Sequence, residues 1–170
     1  NQSVEALQGL PVPVIARVQG ACAGFGLSLV LGCDMVVAAD SAYFTTAYAS
    51  IALSGDGGVS WLLPRVLGRR KAFELLLLAD RFDAAEAQRL GVVNRVVPAA
   101  ELDAAVADLV ARVMRGPGRT YGEIKRLLNA SPDQSLGAQL QLEAEAFARC
   151  TSRPDFDEGI NAFLGKRKAR

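Results

Sequence analysis

Residues 20–26, GACAGFG, form a run of small residues between the apolar segments 14–18 (VIARV) and 27–31 (LSLVL). A short apolar run bounded by turn residues is typical of a buried strand, so the first segment predicts a strand, and the second predicts a helix. A strand, a glycine-rich turn and a helix in this order leave backbone N–H groups free at the helix N-terminus. The stretch therefore predicts an α/β fold with a site for negative charge.

The segments on either side extend this α/β pattern. Pro11 and Pro13 end a polar helix predicted over residues 1–9, because proline lacks the N–H that a helix needs. Another helix begins with a capping box formed by Asp83 and Glu86 and ends at Gly91. Further strands are predicted at residues 35–39, 42–45 and 92–97, and further helices at 59–67 and 69–79, with Pro64 as the break between these two helices.

From residue 101 onward the pattern is helical. Apolar residues recur with helical spacing up to residue 113, and the sequence GPG at 116–118 interrupts them. Further helices are predicted at residues 121–128, 136–150 and 154–164, followed by a basic tail of Lys166, Arg167, Lys168 and Arg170.

The composition is that of a globular protein with little net charge. Hydrophobic residues make up 51% of the 170 residues, and the formal charge is +1, which argues against a nucleic-acid partner. The sequence has no histidine, which excludes a Ser-His-Asp triad and histidine-ligated metals. Three scattered cysteines fit neither a disulfide scaffold nor a zinc site. This cysteine usage predicts a reducing, cytoplasmic setting. We expect no membrane partner, since the most apolar stretch is too short to span a bilayer.

The turn at 20–26 has two chemical uses besides simple tight packing: binding a phosphate or stabilising an oxyanion. It lacks the lysine of the phosphate loop, and Leu29 stands where a dinucleotide motif needs its third glycine. The remaining alternatives are an oxyanion hole and a turn packed against the strand.

Asp56 lies in the glycine-rich loop 54–58, SGDGG. A carboxylate on such a loop is either a general base close to a substrate or a turn aspartate bonded to its own backbone. The residues alone leave both readings open. Three other side chains are predicted to pack rather than react (Ser28, Tyr43 and Tyr48), and Asp34 is predicted to be a buried structural carboxylate.

Six motifs, in order, resemble the crotonase family, the enoyl-CoA hydratase/isomerase superfamily. They span essentially all 170 residues. They are PVIARVQG at 13–20; AGFG at 23–26 with Leu29, Cys33 and Asp34; Phe44 with the stretch 51–58; LPR at 63–65 with Gly68 and Ala72; the segment 84–97; and EGINAFL at 158–164 with Lys166 and Arg167.

The resemblance implies an α/β fold with a spiral core of ββα units and a helical C-terminal region. It places the core portion at residues 1–115 and a helical trimerisation region at 116–170. Family members also carry an N-terminal portion that these motifs do not include. We therefore expect the N-terminal part of the fold to be missing from this chain.

The resemblance also implies an acyl-CoA thioester as the substrate and no metal or other cofactor, with CoA as part of the substrate. The N–H of Phe25, flanked by Gly24 and Gly26 in the substrate site, would be one oxyanion donor, and the second would precede this chain. Phe163 and Lys166 resemble residues that line the CoA site, from a neighbouring subunit of a homotrimer or hexamer.

The chain departs from the family's hydratases at two positions. Ser28 and Tyr48 stand where hydratases carry glutamates, so they are candidate substrate contacts without a carboxylate. Asp56 resembles the acid/base of isomerase-type members, including the 1,2-epoxyphenylacetyl-CoA isomerase group. This predicts double-bond isomerisation, with three alternatives: hydration through one carboxylate, hydrolysis or cleavage of another acyl-CoA, and acyl-CoA binding without catalysis.

Overall fold

A computed structural model describes residues 2–167. Asn1, in the first predicted helix, and Lys168 and Arg170, in the predicted basic tail, lie outside this range. The strands are β1 (Ile15–Val18), β2 (Ala21–Ala23), β3 (Met35–Ala39), β4 (Tyr43–Thr45), β5 (Phe82–Asp83) and β6 (Arg95–Val97). The α-helices are α1 (Gln2–Gly9), α2 (Phe25–Leu31), α3 (Val59–Leu67), α4 (Arg69–Leu78), α5 (Ala84–Arg89), α6 (Leu102–Met114), α7 (Gly118–Ala130), α8 (Leu136–Thr151) and α9 (Pro154–Leu164).

The first four strands alternate between two small sheets. One sheet has the order β1-β3-β6 and is parallel throughout. The other has the order β2-β4-β5, with β2 parallel and β5 antiparallel to β4. Along the chain, β1 and β2 are followed by α2, and β3 and β4 are followed by α3. This confirms the predicted α/β fold with repeated ββα units.

The sheets and helices enclose two hydrophobic clusters. The larger contains Leu27, Phe44 and Leu63, all completely buried, and the ring of Phe44 stacks on Phe82 at 5.6 Å between centroids. Complete burial of one such side chain stabilises the fold by about 1.5–3 kcal/mol. The smaller cluster lies between β3 and α6 and includes Leu102. Leu27, in the first turn of α2, belongs to the larger cluster, so this cluster anchors the N-terminus of the helix.

Several predicted boundaries were wrong. The small-residue run 20–26 contains β2, which pairs with β4, so tertiary pairing forms a strand where composition suggests only a turn. Pro64 lies inside α3, and the break before α4 is Gly68, with φ of 76°. The strand predicted at 92–97 begins only at Arg95, and α7 begins at Gly118 rather than at 121. The two-residue strand β5 was not predicted.

Other local predictions were confirmed. The Asp83 side chain accepts a hydrogen bond from the N–H of Glu86 at 2.8 Å and caps α5. Gly91, which follows α5, has φ of 82°, the left-handed conformation predicted there.

Asp34 was predicted to be buried and structural, and it is only partly buried. Its side chain is 26% exposed, and its Oδ2 accepts from the N–H of Val14 at 2.7 Å and from Lys125 at 2.8 Å. Its contacts are structural, but its second partner is a lysine on α7 rather than a backbone group.

Candidate active site

The N-terminus of α2 presents free backbone donors. Gly24 has φ of 54° and ψ of −123°, a conformation that favours glycine, and its N–H donates to the carbonyl of Thr45 at 3.2 Å. Its carbonyl accepts from Leu27 at 3.0 Å. Within residues 2–167, the N–H groups of Phe25 and Gly26 have no hydrogen-bond acceptor. The turn therefore offers donors toward which negative charge is attracted.

The loop that carries Asp56 packs directly onto this turn. Gly57 has φ of 59°, and a Cβ added there would lie 2.7 Å from the Phe25 ring and 2.7 Å from Cβ of Ser28. No larger residue fits without displacing one of them. The hydroxyl of Ser28 donates to the Asp56 carbonyl at 2.9 Å. The backbone of Asp56 is thus fixed to the first turn of α2, the turn that begins with Phe25.

The side chain of Asp56 is held on one side only. The phenol of Tyr48, which is 7% exposed, donates to Oδ1 of Asp56 at 2.5 Å. Burial, followed by this hydrogen bond, raises the pKa of Tyr48, so the phenol stays protonated and donates at neutral pH. The part of the chain that the structure describes provides no partner for Oδ2, and Asp56 is an exposed residue.

Six of the predicted site residues therefore lie together. The N-terminus of α2 supplies Gly24, Phe25, Gly26 and Ser28, and the following loops supply Tyr48 and Asp56. Ser28 is completely buried, and its Oγ is also 3.4 Å from the Tyr48 hydroxyl. Ser28 and Tyr48, predicted from the residues alone to be packing residues, are packed and also bonded to Asp56.

Phe163 and Lys166 are not joined to this cluster. Phe163, in the last turn of α9, is 78% exposed, and Lys166, in the turn that follows α9, is exposed. Between residues 2 and 167, no hydrogen bond or ion pair links either one to the Asp56 loop. Their assignment to a substrate site stays a prediction.

The Tyr48–Asp56 hydrogen bond is a feature of the candidate site that the sequence did not predict. The two residues are eight positions apart, separated by a short 3-10 helix (Ala49–Ile51) and an irregular loop, so no helical or strand periodicity relates them. Only the presence of an aromatic hydroxyl and a carboxylate close in sequence could have suggested the contact.

Two further properties of the described residues bear on function. No group of three or more His, Cys, Asp or Glu side chains within 2–167 could hold a metal ion. Over the same residues, no helix combines the length and apolar character needed to cross a bilayer.

Together, the fold and the site define an α/β protein in which a loop carrying a carboxylate is bonded to a glycine-rich helix start with free N–H groups. Comparison with known proteins places this arrangement in a family. The enoyl-CoA hydratase/isomerase family model matches residues 1–170, and the chain belongs to that family, the crotonase superfamily.

The chain is similar to relatives with different names. It is 38% identical to a probable enoyl-CoA hydratase of Rhodobacter capsulatus over 96% of this chain and 64% of the relative. It is also 38% identical to the 1,2-epoxyphenylacetyl-CoA isomerase of Escherichia coli over 98% of this chain and 64% of that enzyme. The crystal structure of an enoyl-CoA hydratase from Polaromonas sp. JS666 superposes with a TM-score of 0.94 at 39% identity, covering 98% of this chain and 65% of that one. The chain thus spans slightly less than two thirds of these relatives' length.

Proposed function

We propose that this chain provides the acid/base and one oxyanion donor of an acyl-CoA isomerase that moves a double bond. The Phe25 N–H would hold the thioester carbonyl oxygen as the enolate forms. Asp56 would remove a proton from the carbon beside the thioester carbonyl, which forms the enolate, and would then return a proton at another carbon as the double bond moves. The observation that carries the proposal is the carboxylate of Asp56, whose loop is bonded to the first turn of α2 and of whose two carboxylate oxygens only Oδ1 has a partner among the described residues.

Isomerisation needs only the kinds of group that this chain supplies, a carboxylate and an oxyanion donor. One oxyanion donor typically contributes about 3 kcal/mol to the transition state. Moving a double bond needs one group that accepts and returns a proton, and such a group typically contributes about 10²–10⁴-fold in rate. Hydration also needs an activated water, and Ser28 and Tyr48 supply no second carboxylate where the family resemblance places glutamates.

The substrate and the setting are part of the same proposal. The acyl-CoA thioester follows from family membership and from the names of the similar proteins. We propose that CoA enters as part of the substrate, that no other cofactor is needed, and that the enzyme acts in the cytoplasm. Tyr48, Gly24, Gly26 and Ser28 would line the acyl end of the site, and Phe163 and Lys166 would contact CoA.

We also propose that residues 116–170 hold copies of the chain together as a homotrimer or hexamer, while residues 1–115 carry the chemistry. Apolar side chains on the outer faces of α8 and α9 support this assignment, because such surfaces mark association sites. Leu136, Leu140, Phe147, Ile160 and Phe163 are all more than 40% exposed. Sedimentation equilibrium would overturn it if the protein stayed monomeric.

The function is tested by product mass. The purified protein is incubated with a 3-enoyl-CoA, and the products are separated and weighed by mass spectrometry. Isomerisation predicts a new species of unchanged mass, whereas hydration would add one water, and hydrolysis would release free CoA. Either of those two results would contradict the proposal. Thermal stabilisation by CoA without turnover of any acyl-CoA would instead favour a binding protein.

A further inference from the structure

Two hydrogen bonds hold Asp56 at opposite ends. Ser28 binds its backbone carbonyl at 2.9 Å, and Tyr48 binds its side-chain Oδ1 at 2.5 Å. Both donors are buried: Ser28 is completely buried, and Tyr48 is 7% exposed. Asp56 itself lies in a loop with three glycines of positive φ (Gly55, Gly57 and Gly58), so the loop backbone is not stiff on its own.

We propose that Tyr48 is a positioning residue, which binds Oδ1 of Asp56 and thereby presents Oδ2 to the substrate as the oxygen that exchanges the proton. This inference rests on the proposed function and extends it to a residue that exchanges no proton with the substrate. Tyr48 does not touch the reacting atoms in this role; it selects one orientation of the carboxylate.

The surroundings of Tyr48 suit this role. Its N–H donates to the Thr46 carbonyl at 2.8 Å, and its carbonyl accepts from Ile51 at 3.0 Å and from Leu53 at 3.0 Å, so its backbone is fixed on both sides. The ring belongs to the larger hydrophobic cluster and lies 3.6 Å from where a Cβ on Gly55 would stand. A donor fixed in this way needs no rearrangement when the substrate enters.

The roles of the two donors differ in a way that can be measured. Tyr48 binds the reacting side chain, so Tyr48→Phe should lower kcat about tenfold, the usual value of one hydrogen bond to a charged group, with little change in KM. Tyr43→Phe is the matched control, because Tyr43 is partly buried against Arg81 and makes no described contact with Asp56. It should leave kcat within twofold of the parent.

A spectroscopic signature tests the contact without relying on turnover. Tyrosinate absorbance is titrated in the parent and in Asp56→Asn, and Tyr48→Phe identifies the Tyr48 component among the three tyrosines. The negative charge on Asp56 contributes to the raised pKa of Tyr48, so Asp56→Asn should lower that pKa, while burial keeps it above its ordinary value.

The outcomes separate the two proposals. If Asp56→Asn abolishes 3-enoyl-CoA isomerisation but Tyr48→Phe keeps kcat within twofold, the positioning role is wrong and the proposed function stands. If Tyr48→Phe raises KM while kcat is unchanged, Tyr48 lines the acyl end of the site without orienting Asp56, which also overturns the inference. If Asp56→Asn retains full activity, the proposed function fails and this inference fails with it.

Discussion

The two parts of the chain are held together by different forces. Before residue 115, the described chain buries two apolar clusters around its sheets, and the candidate site rests on the larger one. After residue 115, the buried side chains within the described range are Lys125, Ala146 and Ala162. The candidate site is therefore built where packing makes the backbone rigid, whereas the helical part relies on polar contacts and leaves apolar side chains such as Phe147 and Phe163 exposed.

Several hydrogen bonds connect the two parts. The ammonium of Lys125 on α7 donates to the carbonyl of Leu7 at 2.7 Å and to Asp34 at 2.8 Å, with a longer contact to the carbonyl of Val12 at 3.4 Å. Asn129 donates to the carbonyl of Gln8 at 3.1 Å. A buried lysine with three acceptors thus fixes α7 to the segment that leads into β1.

The largest effect on stability is expected where this connection is cut. Lys125→Met leaves Asp34 without its cation, and removing one partner of a buried pair costs about 3 kcal/mol, somewhat less here because Asp34 is partly exposed. Chemical denaturation should report this loss, and hydrogen exchange should rise in α7–α9 before it rises in the sheets. Lys71→Met is the control, since its pair with Glu74 is at the surface and is worth at most about 1 kcal/mol. An equal increase of exchange in both parts would contradict the comparison.

A smaller effect is expected from overfilling the packed part. Gly57→Ala forces a Cβ against Phe25 and Ser28 in a left-handed backbone, so we expect a loss of about 2 kcal/mol together with displacement of Asp56 and reduced isomerisation. Gly159→Ala is the matched change in the helical part, because nothing lies within 4 Å of its added Cβ. It should instead stabilise α9 by about 0.5–1 kcal/mol. Thermal unfolding of both variants decides the matter, and equal destabilisation would be inconsistent with the proposed difference.

The smallest effect concerns acid, and it is confined to the helical part. Hydrogen bonds from Arg149 and Arg126 lower the pKa of Glu123 to about 2. A carboxyl group whose pKa is lower in the folded than in the unfolded protein stabilises the fold fully at pH values above its unfolded pKa. That stabilisation is lost as the pH falls through the folded pKa. We expect the contact between α7 and α8 to weaken between about pH 4.5 and pH 2. Glu123→Gln should flatten that acid dependence, and an unchanged acid midpoint would show that this cluster does not hold the helices.

Much of the fold could be predicted because its signals are local. The cap at Asp83, the left-handed Gly91 and the helix start at Pro154 are all local features, and the structure contains each of them. The strand β2 could not be predicted, because its Ala-Cys-Ala sequence forms a strand only through pairing with β4. Lys125 was missed for a similar reason: a lysine in a polar helix is expected in solvent, and only the fold brings three acceptors around it.

The candidate site was predictable in its parts and not in its connections. The glycine turn and Asp56 are visible as motifs, and family membership brings them together. The hydrogen bonds from Ser28 and Tyr48 depend on the path of an irregular loop, which no periodicity encodes. Sequence therefore indicates which residues are candidates, and the structure indicates how Asp56 is held.

The most direct measurement of the central claim is proton exchange catalysed by Asp56. A 3-enoyl-CoA is followed by proton NMR in D2O with the parent protein, with Asp56→Asn, and with Asp108→Asn as an exposed control on α6. We predict that the parent and Asp108→Asn move the double bond with loss of the proton beside the thioester, and that Asp56→Asn slows this loss by about 10²–10⁴-fold. Proton loss in Asp56→Asn within a few-fold of the parent would contradict the assignment of Asp56 as the acid/base.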